Sequence, residues 1–233
     1  MTKGVGCLYY DWTILLMIPG LLLGLWAQAR VKNAFEKYAK VRTMRGTASQ
    51  ELVAELLARQ GVVDITITPT QGTLTDHYDP SSNTLRLSQG VYGSNSVAAV
   101  GIAAHEAGHA LQKEQGYGLL SLRSVMVPVV NIGSHLAWPI FVLGIIASWK
   151  PLMYAGIGVF AAVVLFSLIT LPVEFDASRR ANLMLSESGY FFQEELNGVR
   201  SVLNAAALTY VASFVSAALQ LLRLILIARR RNN

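Results

Sequence analysis

His105, Glu106 and His109 form an H-E-x-x-H motif in a stretch that we predict to be helical. Positions i and i+4 of an α-helix lie about 40° apart around its axis, so both histidines project from one face. Two neutral imidazoles on one face can bind a single Zn²⁺. Glu106 lies beside His105 and can accept a proton from a water that the metal activates. The motif therefore predicts a zinc hydrolase.

The residues around the motif favour a helix. Ser94, Asn95 and Ser96 offer N-caps ahead of an apolar run at 97–104. Between the histidines, Ala107 and Gly108 are small, so that another helix or a substrate can come close to this face.

A zinc site of this kind needs a third protein ligand, and Glu174 is the best candidate. No acidic residue occurs between Glu114 and Glu174, and Glu174 follows a long apolar segment in which a carboxylate is costly unless it has a function. If that segment stays helical past Pro172, Glu174 shares a face with 177, 178 and 181. Asp176 then points elsewhere, towards neighbouring arginines or solvent. The predicted ligand set is His105, His109 and Glu174.

The remaining histidines are competing ligands. His135 lies in an apolar run, and His77 belongs to a separate segment. A donor for the oxyanion formed during hydrolysis is also expected. We prefer His77 among the candidates, which are His77, Tyr78, Arg179 and Tyr190.

The composition indicates an integral membrane protein. Of 233 residues, 53% are hydrophobic and only 14% are charged, whereas soluble domains carry about 25% charged residues. The net charge of +5 fits Lys and Arg flanking membrane spans, and no basic patch interleaved with aromatic residues suggests a nucleic-acid partner. The single cysteine, Cys7, excludes an internal disulfide.

Four apolar stretches are long enough, or nearly so, to cross a bilayer. They are residues 12–29, broken by Pro19-Gly20, and residues 125–149, 152–173 and 202–227. The second and third are separated only by Lys150-Pro151 and should form a hairpin. The zinc helix has too short an apolar run to span.

A water-soluble segment separates the first two spans. It should contain a basic helix at 30–45 and a second helix with a Thr47/Gln50 capping box that stops at Gly61. Three β-like runs follow at 62–68, 73–78 and 84–88. In metallopeptidases an edge strand beside the zinc helix can pair with an extended peptide, and we expect the Thr84–Ser88 run to be that edge.

The distribution of Lys and Arg predicts the orientation. Ten basic residues occur from Arg30 to Arg123, but only Lys3 precedes the first span. We therefore expect the sheet and the zinc helix in the cytoplasm. Arg229, Arg230 and Arg231 conflict with this if the fourth segment also spans.

These patterns divide the chain into five segments. They are the tail and first transmembrane helix (1–29), the soluble segment with the zinc helix (30–124), a transmembrane hairpin (125–173), the third-ligand helix and its connection (174–200), and a hydrophobic helix with a basic tail (201–233). The predicted fold is a mostly α-helical integral membrane protein of about four transmembrane helices, with a small α+β zincin-like catalytic domain.

Several short segments of the sequence together resemble one family. They are residues 76–80, 87–92, 103–112, 127–134, 171–178 and 205–211. They look like the bacterial membrane-bound neutral zinc metallopeptidases of the YugP type, which are distantly related to the HtpX and Ste24 proteases. The resemblance covers nearly the whole chain.

The resemblance implies a gluzincin-type peptidase of the bacterial inner membrane, with His105, His109 and Glu174 as zinc ligands and Glu106 as the base. One departure concerns Ser178, because the HtpX and Ste24 relatives place an aspartate four residues after the ligand glutamate. The role of that aspartate in supporting the metal ligands does not carry over by resemblance.

The resulting hypothesis is a membrane-embedded zinc endopeptidase that acts on unfolded or membrane-associated polypeptides. One alternative is an intramembrane-cleaving, site-2-type metalloprotease, which the short apolar run before His105 disfavours. The other is a non-catalytic scaffold with a structural zinc site, which the intact Glu106 disfavours. Whether the chain forms a homo-oligomer or has a membrane-protein partner stays open.

Overall fold

A computed structural model describes residues 12–230 of the chain. Cys7, Lys3 and Arg231, on which predictions were made, lie outside this range. The described part contains six α-helices and a three-stranded sheet. Four of the helices are long and apolar enough to cross a membrane, which confirms the predicted fold class.

The first span and the basic stretch after it form one helix. A 3₁₀ helix (Trp12–Leu16) leads into α1 (Met17–Tyr38). The expected break at Pro19-Gly20 does not occur, because Pro19 lies in the first turn of α1, where its missing N–H has no helical partner to lose. The basic helix ends at Tyr38 and does not reach Arg45.

Helix α2 (Ser49–Arg59) has no side-chain cap, so the predicted capping box is wrong. Gln50 accepts a hydrogen bond from the backbone of Gly93, and Thr47 accepts one from Arg45. Gly61 adopts a positive φ of 83°, which ends the helix as expected.

The sheet is mixed, and the strand that was predicted at its edge lies at its centre. The strands are β1 (Thr66–Thr70), β2 (His77–Asp79) and β3 (Thr84–Ser88), in the order β1-β3-β2. β3 is parallel to β1 and antiparallel to β2. The expectation that Thr84–Ser88 is an edge is therefore wrong: β3 is paired on both sides, and Leu85 and Leu87 are fully buried. Among the strands of residues 12–230, β2 is one free edge of the sheet.

Helix α3 (Val97–Glu114) carries the zinc motif, and the predicted cap is confirmed. The Ser96 hydroxyl accepts a hydrogen bond of 3.2 Å from the backbone N–H of Ala99. α3 packs against α2, the sheet, α5 and α6. The main apolar core forms here from residues such as Leu52, Leu85 and Val199.

The remaining helices are α4 (Gly118–Ile146), α5 (Lys150–Glu187) and α6 (Gln193–Arg230). α4 and α5 form the predicted hairpin, in which Gly156 permits close contact: a Cβ there would lie 2.9 Å from the carbonyl oxygen of Ala137. α5 continues through Pro172, so the apolar span and the Glu174 segment are one helix. α6 packs along α1 and α5.

Candidate metal centre

Helices α3 and α5 bring His105, His109 and Glu174 together. One donor atom from each residue lies within 4.8 Å of the others, and this is the one such group of three or more His, Cys, Asp or Glu residues found in the described part of the chain. Oε2 of Glu174 lies 3.2 Å from Nε2 of His105 and 3.6 Å from Nε2 of His109. His135, a competing ligand by sequence, is exposed on α4 and is not in this group.

Gly108 makes this approach of the two helices possible. A Cβ at Gly108 would collide with the carbonyl oxygen of Ala177 and lie 3.2 Å from its Cα. Ala177 is fully buried and lies one turn after Glu174. The small residues between the histidines thus admit another helix, as the sequence predicted, and that helix carries Glu174.

The outer nitrogen of His109 is held by a buried amide. Nδ1 of His109 lies 2.9 Å from Oε1 of Gln112. The amide nitrogen of Gln112 donates to the carbonyl oxygen of Val173 at 2.8 Å and to Asp176 at 3.0 Å, which fixes the amide orientation. Oε1 of Gln112 is therefore an acceptor, so Nδ1 of His109 carries the proton.

This arrangement creates a place for a cation. With its proton on Nδ1, neutral His109 directs the lone pair of Nε2 at the carboxylate of Glu174, and two acceptors face each other. Glu174 is only 2% exposed, so water does not relieve the repulsion. A metal ion bound between these atoms, or a second proton on His109, would satisfy both. A His₂Glu donor set fits Zn²⁺.

The electrostatics agree with this requirement. Burial opposes a charge on His109. The hydrogen bond with Glu174 and the charges of Glu106 and Glu174 outweigh burial and raise the pKa of His109 above its ordinary value. The site thus favours a positive charge between its carboxylates.

His105 is supported by Ser178. Nδ1 of His105 lies 3.1 Å from the Ser178 hydroxyl, so the position at which the sequence departs from the HtpX and Ste24 pattern still contacts this candidate ligand. Asp176 pairs with Arg179 and Arg180, as predicted, and its contact with Gln112 also links it to His109.

Arg123 of α4 contacts the other oxygen of Glu174. Its Nη1 lies 2.9 Å from Oε1 of Glu174, and no hydrogen bond of good geometry within the described residues reaches this oxygen. The contact is thus an ion pair. One oxygen of Glu174 faces the histidines, and the other faces a fixed cation.

A cleft of two cavities borders the site. The first has a volume of about 210 Å³ and is lined by His77, Tyr78, Glu106, His109, Arg123, Glu174 and Tyr210, among others. The second, of about 160 Å³, shares Asp76, Glu106 and Tyr210 with the first and also borders His105. Glu106 is 8% exposed and lies where the cavities meet.

The four predicted oxyanion donors separate into two pairs. His77 and Tyr78 line the first cavity. The Tyr78 hydroxyl donates to Asn83, and burial raises the pKa of Tyr78 to about 12. Arg179 is paired with Asp176 and does not line the cleft.

Tyr190 also lies elsewhere. Its hydroxyl donates to Glu55 at 2.6 Å, and Arg45 and Arg59 cover its ring. This cluster joins the segment before α6 to α2.

The sequence prediction missed Gln112, Arg123 and Tyr210. Gln112 follows His109 by three residues on one helix, so its spacing was a usable signal. Tyr210 lies in residues 205–211, one of the segments on which the family resemblance rests. Arg123 had no local signal, since a basic residue before an apolar span is common in membrane proteins.

The family model described as "Putative neutral zinc metallopeptidase" matches residues 13–229. The chain belongs to this family. A relative from Bacillus subtilis (strain 168), "Putative membrane protease YugP", is 45% identical over 214 residues, which cover 92% of this chain and 95% of the relative. No solved structure matches the chain.

Proposed function

We propose that this protein is a zinc-dependent endopeptidase of the bacterial inner membrane that cleaves unfolded or membrane-associated polypeptides. The observation that carries the proposal is the convergence of His105, His109 and Glu174 next to Glu106, in a cleft bordered by a free strand edge. In this gluzincin-type reading, the three residues hold Zn²⁺, which when bound would activate a water and polarise the scissile carbonyl.

Glu106 is the general base and general acid. Its carboxylate borders both cavities, so it can accept the proton of the attacking water and return it to the leaving amine.

Tyr210 is our preferred donor to the oxyanion. Nδ1 of His77 lies 2.9 Å from the carbonyl oxygen of Thr75 and can donate only there, so neutral His77 presents an acceptor to the cleft. His77, the earlier candidate, could donate to an oxyanion only as an imidazolium. The Tyr210 phenol is a donor at neutral pH. Removing one such donor reduces kcat by about 10²–10³-fold, which is the loss we expect for Tyr210→Phe and not for His77→Ala.

Strand β2 is the proposed substrate edge. His77 and Tyr78 line the first cavity, and no strand of the described part of the chain pairs with β2 on the side away from β3. An extended peptide can add to this edge as a further strand. This replaces the Thr84–Ser88 edge, whose backbone is occupied by β1 and β2.

The position of α3 favours this function over intramembrane cleavage. α3 is not one of the four candidate spans, and it packs with α2 and the sheet in the main apolar core. Its zinc motif thus belongs to the soluble part of the fold, which we place on the cytoplasmic side.

The test is cleavage of casein by the purified protein in detergent, with Glu106→Gln as the variant. We expect this variant to keep its zinc and lose nearly all activity, because an amide cannot accept the water's proton. Glu114→Gln, an exposed carboxylate on the same helix, is the matched control and should remain active. Full activity in Glu106→Gln would contradict the proposal, and a zinc-loaded wild-type protein without activity would favour the scaffold.

A further inference from the structure

The second cavity has a lining that differs from that of the first. Most of the described residues that line it are apolar and belong to α1, α3, α6 and the loop before β2; they include Val31, Phe35, Leu74, Ile102, Leu203 and Ala206. The polar residues Asp76, His105, Glu106 and Tyr210 lie where it meets the metal centre. We refer to this cavity as the α1/α6 pocket.

The α1/α6 pocket continues the proposed reaction site. It shares Glu106 and Tyr210 with the first cavity, and it borders His105 while the first borders His109. The candidate metal centre therefore lies between the two cavities. A polypeptide that places a peptide bond at this centre must direct side chains on one side of that bond towards the α1/α6 pocket.

The chemistry of the pocket selects an uncharged side chain. No Lys or Arg among residues 12–230 lines it, whereas Arg123 lines the first cavity. Asp76 is already bound to Ser88, accepting hydrogen bonds from its backbone N–H at 2.7 Å and from its hydroxyl at 2.9 Å. A charged side chain entering among the apolar residues would lose its hydration there, because the carboxylates of Asp76 and Glu106 lie where the pocket meets the metal centre.

The volume sets an upper size for this side chain. The pocket measures about 160 Å³, and an apolar cavity of about 150 Å³ is known to hold a benzene molecule. Leu, Met and Phe side chains therefore fit, whereas Ala or Gly would leave much of the pocket empty.

We propose that the α1/α6 pocket is the main specificity pocket of this peptidase and binds a medium-sized apolar side chain adjacent to the scissile bond. This inference rests on the proposed function. Ala206 on α6 and Ile102 on α3 both line the pocket, so the size of each side chain determines how much space is left for the substrate.

The experiment compares kcat/KM for a set of peptides that differ only at the residues flanking the cleaved bond. Wild-type protein should prefer Leu, Met or Phe over Ala, Asp and Lys at one of these positions. Ala206→Phe fills the pocket and should reduce the preference for Phe over Ala by roughly tenfold or more, a typical effect of filling an apolar pocket. Ile102→Ala should shift the preference towards larger side chains. Ala207→Phe, at the adjacent residue outside the lining, is the matched control.

The outcomes separate this inference from the proposed function. Glu106-dependent cleavage whose side-chain preference is unchanged in both Ala206→Phe and Ile102→Ala would overturn the specificity pocket alone and would instead favour a lipid acyl chain as the occupant. Absence of Glu106-dependent cleavage of any peptide would overturn both.

Discussion

At the scale of single residues, the candidate metal centre depends on groups that contact the Nδ1 atoms of the two histidines and so orient their rings. Gln112 and Ser178 contact the outer ring nitrogens of His109 and His105, so the inner nitrogens of both rings point to Glu174. The H-E-x-x-H spacing and the isolated carboxylate predicted the three converging residues. The spacing of Gln112 from His109 on α3 was a local signal, but the contacts of Ser178 with His105 and of Gln112 with Val173 join α3 to α5, and no local pattern encodes them.

Gln112 should set the zinc affinity. Gln112→Leu removes the acceptor that keeps the His109 proton on Nδ1, and losing such a partner lowers metal affinity about 10–100-fold. Gln112→Glu keeps the acceptor for His109 but loses the bonds that the amide nitrogen donates to Val173 and Asp176, so its zinc affinity should fall between those of wild type and Gln112→Leu. Competition with a chelating dye measures the affinity without relying on activity.

The control for this prediction is Gln115→Leu, since Gln115 is exposed at the end of the same helix. Wild-type zinc affinity in Gln112→Leu would show that the amide does not orient His109.

At the scale of elements, the helices were more predictable than the sheet. Long apolar runs and the Ser96 cap predicted helices close to those observed. In α1 and α5 the observed helix is longer than the predicted span, because the apolar span and the polar segment after it form one continuous helix. Residues 84–88 were correctly predicted as a strand but were wrongly placed at an edge of the sheet. Local alternation does not distinguish a central strand from an edge, because the order β1-β3-β2 depends on non-local pairing.

The close packing of α3 on α5 should be sensitive to Gly108. Gly108→Ala places a methyl group against the Ala177 carbonyl, and such overpacking costs about 1–3 kcal/mol of the free energy of unfolding. Because α5 carries Glu174, zinc content should fall as well. Thermal unfolding in detergent and metal analysis measure both effects.

Gly118→Ala is the matched control, since a Cβ at Gly118 meets no atom within 4 Å. If Gly108→Ala has the stability and zinc content of wild type, the α3–α5 contact is not as close as described.

The β2 edge should be positioned by the Asp76–Ser88 contact. Both Asp76→Ala and Ser88→Ala remove hydrogen bonds between the start of β2 and β3. Asp76→Ala loses both bonds to the carboxylate and should raise KM for casein by roughly tenfold. Ser88→Ala should raise KM by less, because the backbone N–H of residue 88 still donates to Asp76. Zinc content should stay unchanged in both.

Asp64→Ala, before the opposite edge strand β1, is the control for these variants. An unchanged KM in Asp76→Ala and Ser88→Ala would argue against β2 as the substrate edge.

At the scale of the whole molecule, the fold combines four candidate spans with an apolar core that includes α2, the sheet, α3 and residues of α5 and α6. Composition predicted this architecture, because 14% charged residues are too few for a soluble chain of this length. The orientation in the membrane rests on the distribution of basic residues alone, and the basic end of α6 at Arg229 and Arg230 opposes it.

Cysteine labelling of intact cells tests the orientation. With Cys7 replaced by serine, new cysteines at Ser82 and Ser186 should be protected from an impermeant reagent. A cysteine at Ser148, in the α4–α5 turn, should react, because all three serines are exposed in the fold and only the membrane separates them. The reverse pattern would place the site, and its substrates, outside the cytoplasm.

The zinc content of the purified protein tests the central claim most directly. We expect about one zinc per chain and a strong loss in His105→Ala, His109→Ala and Glu174→Ala. Zinc content should not change in His135→Ala, because His135 is exposed and does not belong to the cluster. Full zinc occupancy in Glu174→Ala, together with loss of zinc in His135→Ala, would contradict the account.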